Sequence, residues 1–220
     1  MTARRLLAGA ALAAWLLAFD AGAAPPSREE IAQWCNDAED TTQCNRLIEA
    51  QQLKRLPALA RRDGAALSVT LFPNGATTFT DTDDIHGGTS YSLWDYQSAI
   101  NAAVIAVTRD DRTTYTLLLR ANGRKFDLPA EPALSPDRQH LATADFCAQD
   151  CSNEVTLWQL SRDGVARLAS WRPAPTWSDA VVAWVDADTL AIDYTAMGET
   201  QGRSQQRKLA DPVWRPAAVH

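Results

Sequence analysis

Residues able to carry chemistry are few and scattered along the chain. The densest group is Asp81-Thr-Asp-Asp-Ile-His-Gly-Gly88, where Asp81, Asp83 and Asp84 could present hard oxygen ligands to calcium. A complete calcium loop adds further acidic positions and a distal Glu, which this stretch lacks. Solvated loop acids are the preferred reading, and no metal or other cofactor is assigned. A second acidic pair, Asp186 and Asp188, falls in a turn, where Asp serves local backbone hydrogen bonding. Were the chain to cut glycans, its carboxylate pair would come from Asp81, Asp83, Asp84 and Asp186. The histidines are His86, in the acidic loop, His140, at the start of an expected strand, and the terminal His220. Nucleophile-elbow, H-E-x-x-H and phosphate-loop patterns are missing, and no spacing points to a Ser-His-Asp triad. No catalytic residue is assigned.

Aromatic residues give a second kind of candidate. Tyr91, Trp94 and Tyr96 lie beside the glycine pair and could form a rim that binds protein or sugar. Simple alternation puts Tyr91 and Leu93 on one face and Trp94 and Tyr96 on the other. Burial inside stacked sheets is the competing and preferred reading.

The four cysteines allow three pairings. Cys35–Cys44 and Cys147–Cys151 are favoured because each pair lies in one local segment. A metal site fails on spacing, since no C-x-x-C or nearby His completes a ligand set. Disulfides also suit the expected compartment. Arg4 and Arg5 precede an apolar run from Leu6 to Phe19, and Ala21-Gly22-Ala23 fits the small-x-small cleavage rule. The run is short for a membrane span, which needs about 20 apolar residues. Residues 1–23 therefore read as a signal peptide, giving a periplasmic or secreted protein with no stable membrane anchor after cleavage. Cleavage would move the net charge from −6 to about −7, which argues against nucleic acid and anionic membrane and favours a basic partner.

These candidates need elements to position them. Ser27-Arg-Glu-Glu30 is a capping box, and Asp40-Thr-Thr-Gln43 offers a second. The spacing predicts a helical hairpin over 24–64, clipped by Cys35–Cys44, with Pro57 and Gly64 as stop signals. From Leu67 onward the period becomes two. Strands are expected at 67–71, 76–80, 90–97, 102–108, 113–120 and 124–128. Leu134–Leu160 then reads as a Ser135-Pro-Asp137 turn and two strands bounding a cysteine loop. Strands at 165–171, 180–185, 189–195 and 205–209 follow. Similar segments recur at offsets of about 40 to 49 residues, the spacing of propeller blades. From 65 to 220 there is room for three or four such units. The expected fold is mainly β, a partial or small propeller-like array of antiparallel sheets, with a sandwich of hairpins as the alternative.

The segments Tyr91-Ser-Leu-Trp-Asp-Tyr96, Tyr115-Thr-Leu-Leu-Leu-Arg120, Gly123, Pro132-Ala-Leu-Ser-Pro-Asp137, 153–160 and Trp184-Val-Asp-Ala-Asp-Thr-Leu190 resemble a family of exported bacterial proteins with propeller-like sheet units. That resemblance spans about half of the chain, rests on fold-forming positions, and implies architecture without catalytic residues. The chain is also similar to periplasmic lysozyme inhibitors and immunity proteins, in being exported and sheet-rich with a cysteine-bearing helical hairpin. The function this implies is a non-enzymatic protein-binding module, acting as an inhibitor or immunity protein toward a basic envelope protein or cell-wall enzyme. An envelope glycan hydrolase or lyase is one alternative. A structural envelope protein holding a ligand in the propeller mouth is another.

Overall fold

A computed structural model describes residues 26–83, 87–110, 112–161 and 164–217. The expected signal peptide, together with Asp84, His86 and His220, lies outside those residues. The fold is mainly β: two helices precede four separate antiparallel sheets, none of which closes into a barrel. Among the described residues, no helix is long and apolar enough to cross a membrane.

The Ser27 box forms as expected. The Glu30 amide donates to Ser27 Oγ at 3.2 Å and the Ser27 amide to Glu30 Oε2 at 2.8 Å, opening α1 (Arg28–Trp34). Asp40 caps α2 (Thr41–Arg55) by accepting from the Gln43 amide at 2.7 Å. The Cys35–Cys44 disulfide ties the two helices together. Helix does not continue to 63, however. It ends at Arg55, before Pro57, and Ala60–Asp63 is strand β1, paired with β2 (Ala66–Thr70). Gly64, expected to stop a helix, instead turns this hairpin at φ +55°. With β3 (Ala76–Thr80) the pair completes the first sheet.

The second sheet is a meander of β4 (Thr89–Gln97), β5 (Ala102–Arg109), β6 (Arg112–Leu119) and β7 (Arg124–Leu128). The third runs from β8 (Ala133–Leu134) through β9 (His140–Asp145) and β10 (Glu154–Ser161) to β11 (Gly164–Trp171). The fourth comprises β12 (Trp177–Trp184), β13 (Thr189–Ala196) and β14 (Gly202–Lys208). A two-residue strand near the C-terminus, β15 (Arg215–Pro216), returns to pair with β11 and so extends the third sheet.

Three apolar cores join these sheets in chain order. Val69, Phe79, Leu93 and Ile105 seal the first sheet to the second. Val104, Leu117 and Leu141, with Ile48 of α2, fill the second core on the opposite face. Leu157, Trp177, Leu190 and Ile192 join the third sheet to the fourth. Strand β5 is thus buried on both faces, Val104 toward one core and Ile105 toward the other. Between the second and third sheets the ring of Phe126 lies on Gly164, whose absent side chain would stand 2.5 Å from the ring edge. The repeated acidic turns also match in detail. Asp137 accepts from the Gln139 amide at 3.0 Å, and Asp186, 49 positions later, accepts from the Asp188 amide at 2.8 Å. These bonds, led by Ser135 for Asp137 and by the Asp188 amide for Asp186, hold both carboxyls below the ordinary range.

Candidate functional site

The site begins at an irregularity in β4. Leu93 pairs with Ile105, yet Asp95 pairs with Val104, so Trp94 and Asp95 together oppose one residue. This is a β-bulge, which shifts the facing of every later side chain. Trp94 and Asp95 consequently share the face toward the second core, while Tyr96 joins Tyr91 and Leu93 on the other. The simple alternation that paired Trp94 with Tyr96 is corrected here, and the bulge is the reason.

Helix α2 holds that bulge with polar groups. Its buried stripe is Asn45, Ile48, Glu49 and Gln52, three of them polar. Strand β4 is the edge of its sheet, and an uncovered edge leaves backbone donors and acceptors unpaired. Glu49 Oε2 accepts from the Leu93 amide at 2.9 Å, and Gln52 Nε2 donates to the Trp94 carbonyl at 2.9 Å. Further along the same edge, Asp81 Oδ1 accepts from the Tyr91 amide at 2.9 Å, while Arg46 and Arg62 donate to the Tyr91 carbonyl. Side chains thus replace a missing strand. Arg62 also forks onto Glu49, with both bonds at 2.8 Å. Burial pushes the Glu49 carboxyl up to about 7, while the Leu93 amide and then Arg46 pull the other way.

From the bulge, the Trp94 indole N–H donates to Glu131 Oε1 at 2.9 Å, and the indole meets the Tyr115 ring edge-on at 5.5 Å. Glu131 is an exposed residue overall, but its carboxyl is turned inward to the indole, and loss of hydration raises it. Asp95 is 5% exposed and accepts from Gln97 Nε2 at 2.5 Å. Burial first, opposed by the Tyr96 amide and reinforced by Glu131, pushes its carboxyl up to about 6. Burial, with help from Glu131, raises the Tyr115 phenol, which therefore stays neutral.

Two hollows meet at Glu131. One, of about 350 Å³, is lined by Arg28, Trp94, Asp95 and Glu131, and by parts of β8 and β12. The first strands of the second, third and fourth sheets converge on it. The other, of about 490 Å³, lies under the loop closed by Cys147–Cys151. Its charged lining among the described residues is Asp110, Glu131, Asp145 and Asp150 with Arg112. Arg112 donates to the Asp150 carbonyl and stands 3.5 Å from Asp145 Oδ1, while Asp145 Oδ2 accepts from the Ser152 amide at 2.7 Å. The loop is therefore fixed covalently and by charge.

The other candidates are dispersed. Asp81 is ion-paired with Arg46 and Arg62, Asp83 is exposed, and Asp84 is not described. Among the described residues no group of three or more His, Cys, Asp or Glu is placed to hold a metal. Tyr91 packs on Phe79, and Tyr96 donates to Asn101 Oδ1 at 2.9 Å beneath Arg120. Tyr91, Trp94 and Tyr96 therefore do not share one rim. His140 packs beside Trp184, and Asp186 belongs to its turn. Both local disulfides form. Sequence reasoning missed Asp95, Glu131 and the Tyr115 hydroxyl. An acidic residue within the run Leu-Trp-Asp-Tyr was the one available signal, since buried carboxylates need a local reason.

No family model, curated protein or solved structure matches the chain.

Proposed function

We propose that the chain is an exported, non-enzymatic protein-binding module, built as an open propeller-like array, that acts as an inhibitor or immunity protein toward a basic cell-wall-degrading enzyme. The observation that carries this reading is the solvent-open hollow beneath a disulfide-fixed loop, whose described lining includes Asp110, Glu131, Asp145 and Asp150 with Arg112. A rigid acidic concavity suits a basic partner, because opposite potentials steer encounter and a preformed site loses little entropy on binding. The convergence of β4, β8 and β12 on the neighbouring hollow supports the propeller-like arrangement. The test adds purified protein to basic peptidoglycan hydrolases and follows clearing of cell-wall suspensions. Stoichiometric inhibition relieved by salt is expected. Undiminished clearing by every hydrolase, together with no partner captured from envelope extract, would overturn it.

A second reading has its own observation. Asp95 and Glu131, both raised by burial, line one hollow, as an acid and base acting on an envelope glycan would. Peptidoglycan turnover by the protein alone, abolished in Asp95→Asn, would favour this hydrolase or lyase over the inhibitor.

A further inference from the structure

A third hollow, sharing no lining residue with the two at Glu131, opens where the β6–β7 turn meets the end of β10. It holds about 410 Å³, a size within the roughly 300–1,000 Å³ of small-ligand pockets. Ile100, Leu119, Ala121 and Leu160 make its apolar wall, and all but Ala121 also pack on the second core. The neutral polar residues of the lining are already occupied. Asn122 Oδ1 accepts from the Arg124 amide at 3.0 Å. Ser161 Oγ accepts from the Gly164 amide and donates to the Gly164 carbonyl, both at 3.1 Å. Water entering here would find few partners, and an apolar group that displaces such water gains affinity.

The one charged residue of the described lining is Arg138. Asp137 beside it is closed into its own turn, accepting from Ser135 Oγ and the Gln139 amide. Among the described residues no group hydrogen-bonds or ion-pairs with the Arg138 side chain. Arg138 also holds φ at +62°, a conformation that glycine adopts freely and an L side chain adopts at a cost. An apolar hollow whose charge is an unpaired cation fits a single anionic head on an aliphatic chain. An ammonium head would be repelled, and a peptide would bring amides that this wall cannot pair.

We propose that this hollow binds a fatty acid of medium chain length, with its chain against Ile100, Leu119 and Leu160 and its carboxylate on Arg138. The site stands apart from both readings of the protein's main function and depends on neither.

The test titrates the whole protein, labelled with nitrogen-15, with hexanoate, octanoate, 1-octanol or N-acetyl-leucine. The backbone amides of Ala121, Asn122, Leu160 and Ser161 are followed. Octanoate should shift them saturably, and affinity should rise by up to about fourfold per methylene from hexanoate to octanoate. Octanol should bind about threefold to fivefold more weakly, the scale of one exposed ion pair. Arg138→Gly removes the charge and relieves the positive φ. It should therefore unfold at the same or a higher temperature than the parent while binding octanoate and octanol equally. Arg138→Lys should keep a preference for octanoate. Absence of saturation, shifts confined to other amides, equal affinities for octanoate and octanol in the parent, or a preference that survives in Arg138→Gly would each overturn the site. Tighter binding of N-acetyl-leucine than of octanoate would overturn the fatty acid as its ligand.

Discussion

Replacing Asp95 by Asn removes a carboxylate that folding buries, with Gln97 and the Tyr96 amide donating to it. In the unfolded chain this carboxyl titrates near 4; in the fold it is pushed up to about 6. The folded pKa is raised, so Asp95 favours folding most at acid pH, where it is protonated in both states. That contribution is lost as pH rises from about 4 to about 6, and stays lost above. A shift of roughly two units corresponds to about 3 kcal/mol. Asn resembles the protonated acid in shape and is never charged. The difference in stability between variant and parent should therefore be near zero below pH 4 and grow to about 2–3 kcal/mol in the variant's favour by pH 7. Urea unfolding followed by tryptophan fluorescence, run for both proteins from pH 3.5 to 8 with disulfides intact, measures that difference. Comparing the pair cancels other titrating groups. A pH-independent difference, or a variant less stable at pH 7 than at pH 4 relative to parent, would refute the placement of Asp95.

Three further outcomes follow from particular contacts. Glu49→Ala strips the Leu93 amide and the Arg62 fork of their acceptor and should cost about 3 kcal/mol. Amide exchange at Leu93 should accelerate and the Trp94 indole resonance should move; unchanged exchange would mean that the helix does not hold the bulge. Replacing Cys147 and Cys151 together by Ser opens a loop of sequence separation 4, which loop-closure entropy values at about 2 kcal/mol. Calorimetry should show a midpoint lower by about 5 °C. Gly164→Ala meets both the Phe126 ring and an unfavourable φ of +154° and should cost about 2 kcal/mol, against about 1 for Gly198→Ala, where φ is +82° but space is open. Equal midpoints for the two alanine variants would contradict close packing between the second and third sheets.

Much of the strand order was legible because most strands keep one period and end at strong turn residues. Ala76–Thr80 and Arg124–Leu128 stand where alternation and the flanking Pro73-Asn-Gly75 and Ala121-Asn-Gly123 turns place them. Strand β1 was hidden because Ala-Arg-Arg-Asp has no apolar alternation, although Pro57 marks the end of the helix before it. Gly64 reads as a helix stop by position, although the Asp63-Gly64 dipeptide also turns hairpins. Helix α2 was visible from its cap, but its buried face was not: periodicity detects apolar stripes, and Asn45, Glu49 and Gln52 are buried for their hydrogen bonds. The site suffered most. Glu131, Tyr115 and Asp95 come from separate strands and a loop, and nothing local marks their meeting.

The bulge at Trp94 explains why fold and site cannot be argued apart. With regular pairing Asp95 would turn with Leu93 toward the first sheet, and Trp94 alone would face Glu131. Doubling two residues against Val104 puts the indole and the carboxyl on one side, in one hollow. A bulge leaves backbone groups without strand partners and costs stability unless something else satisfies them. The buried polar stripe of α2 does so at Leu93 and Trp94, with Glu49 itself held by Arg62. The helix therefore has a physical reason to be polar where helices are usually apolar: it completes an irregular edge. The Cys35–Cys44 bond then keeps α1 against α2, so the element that stabilises the bulge is itself secured. Substitutions of Glu49 or Gln52 on α2, which line neither hollow, should on this account change the Trp94 resonance.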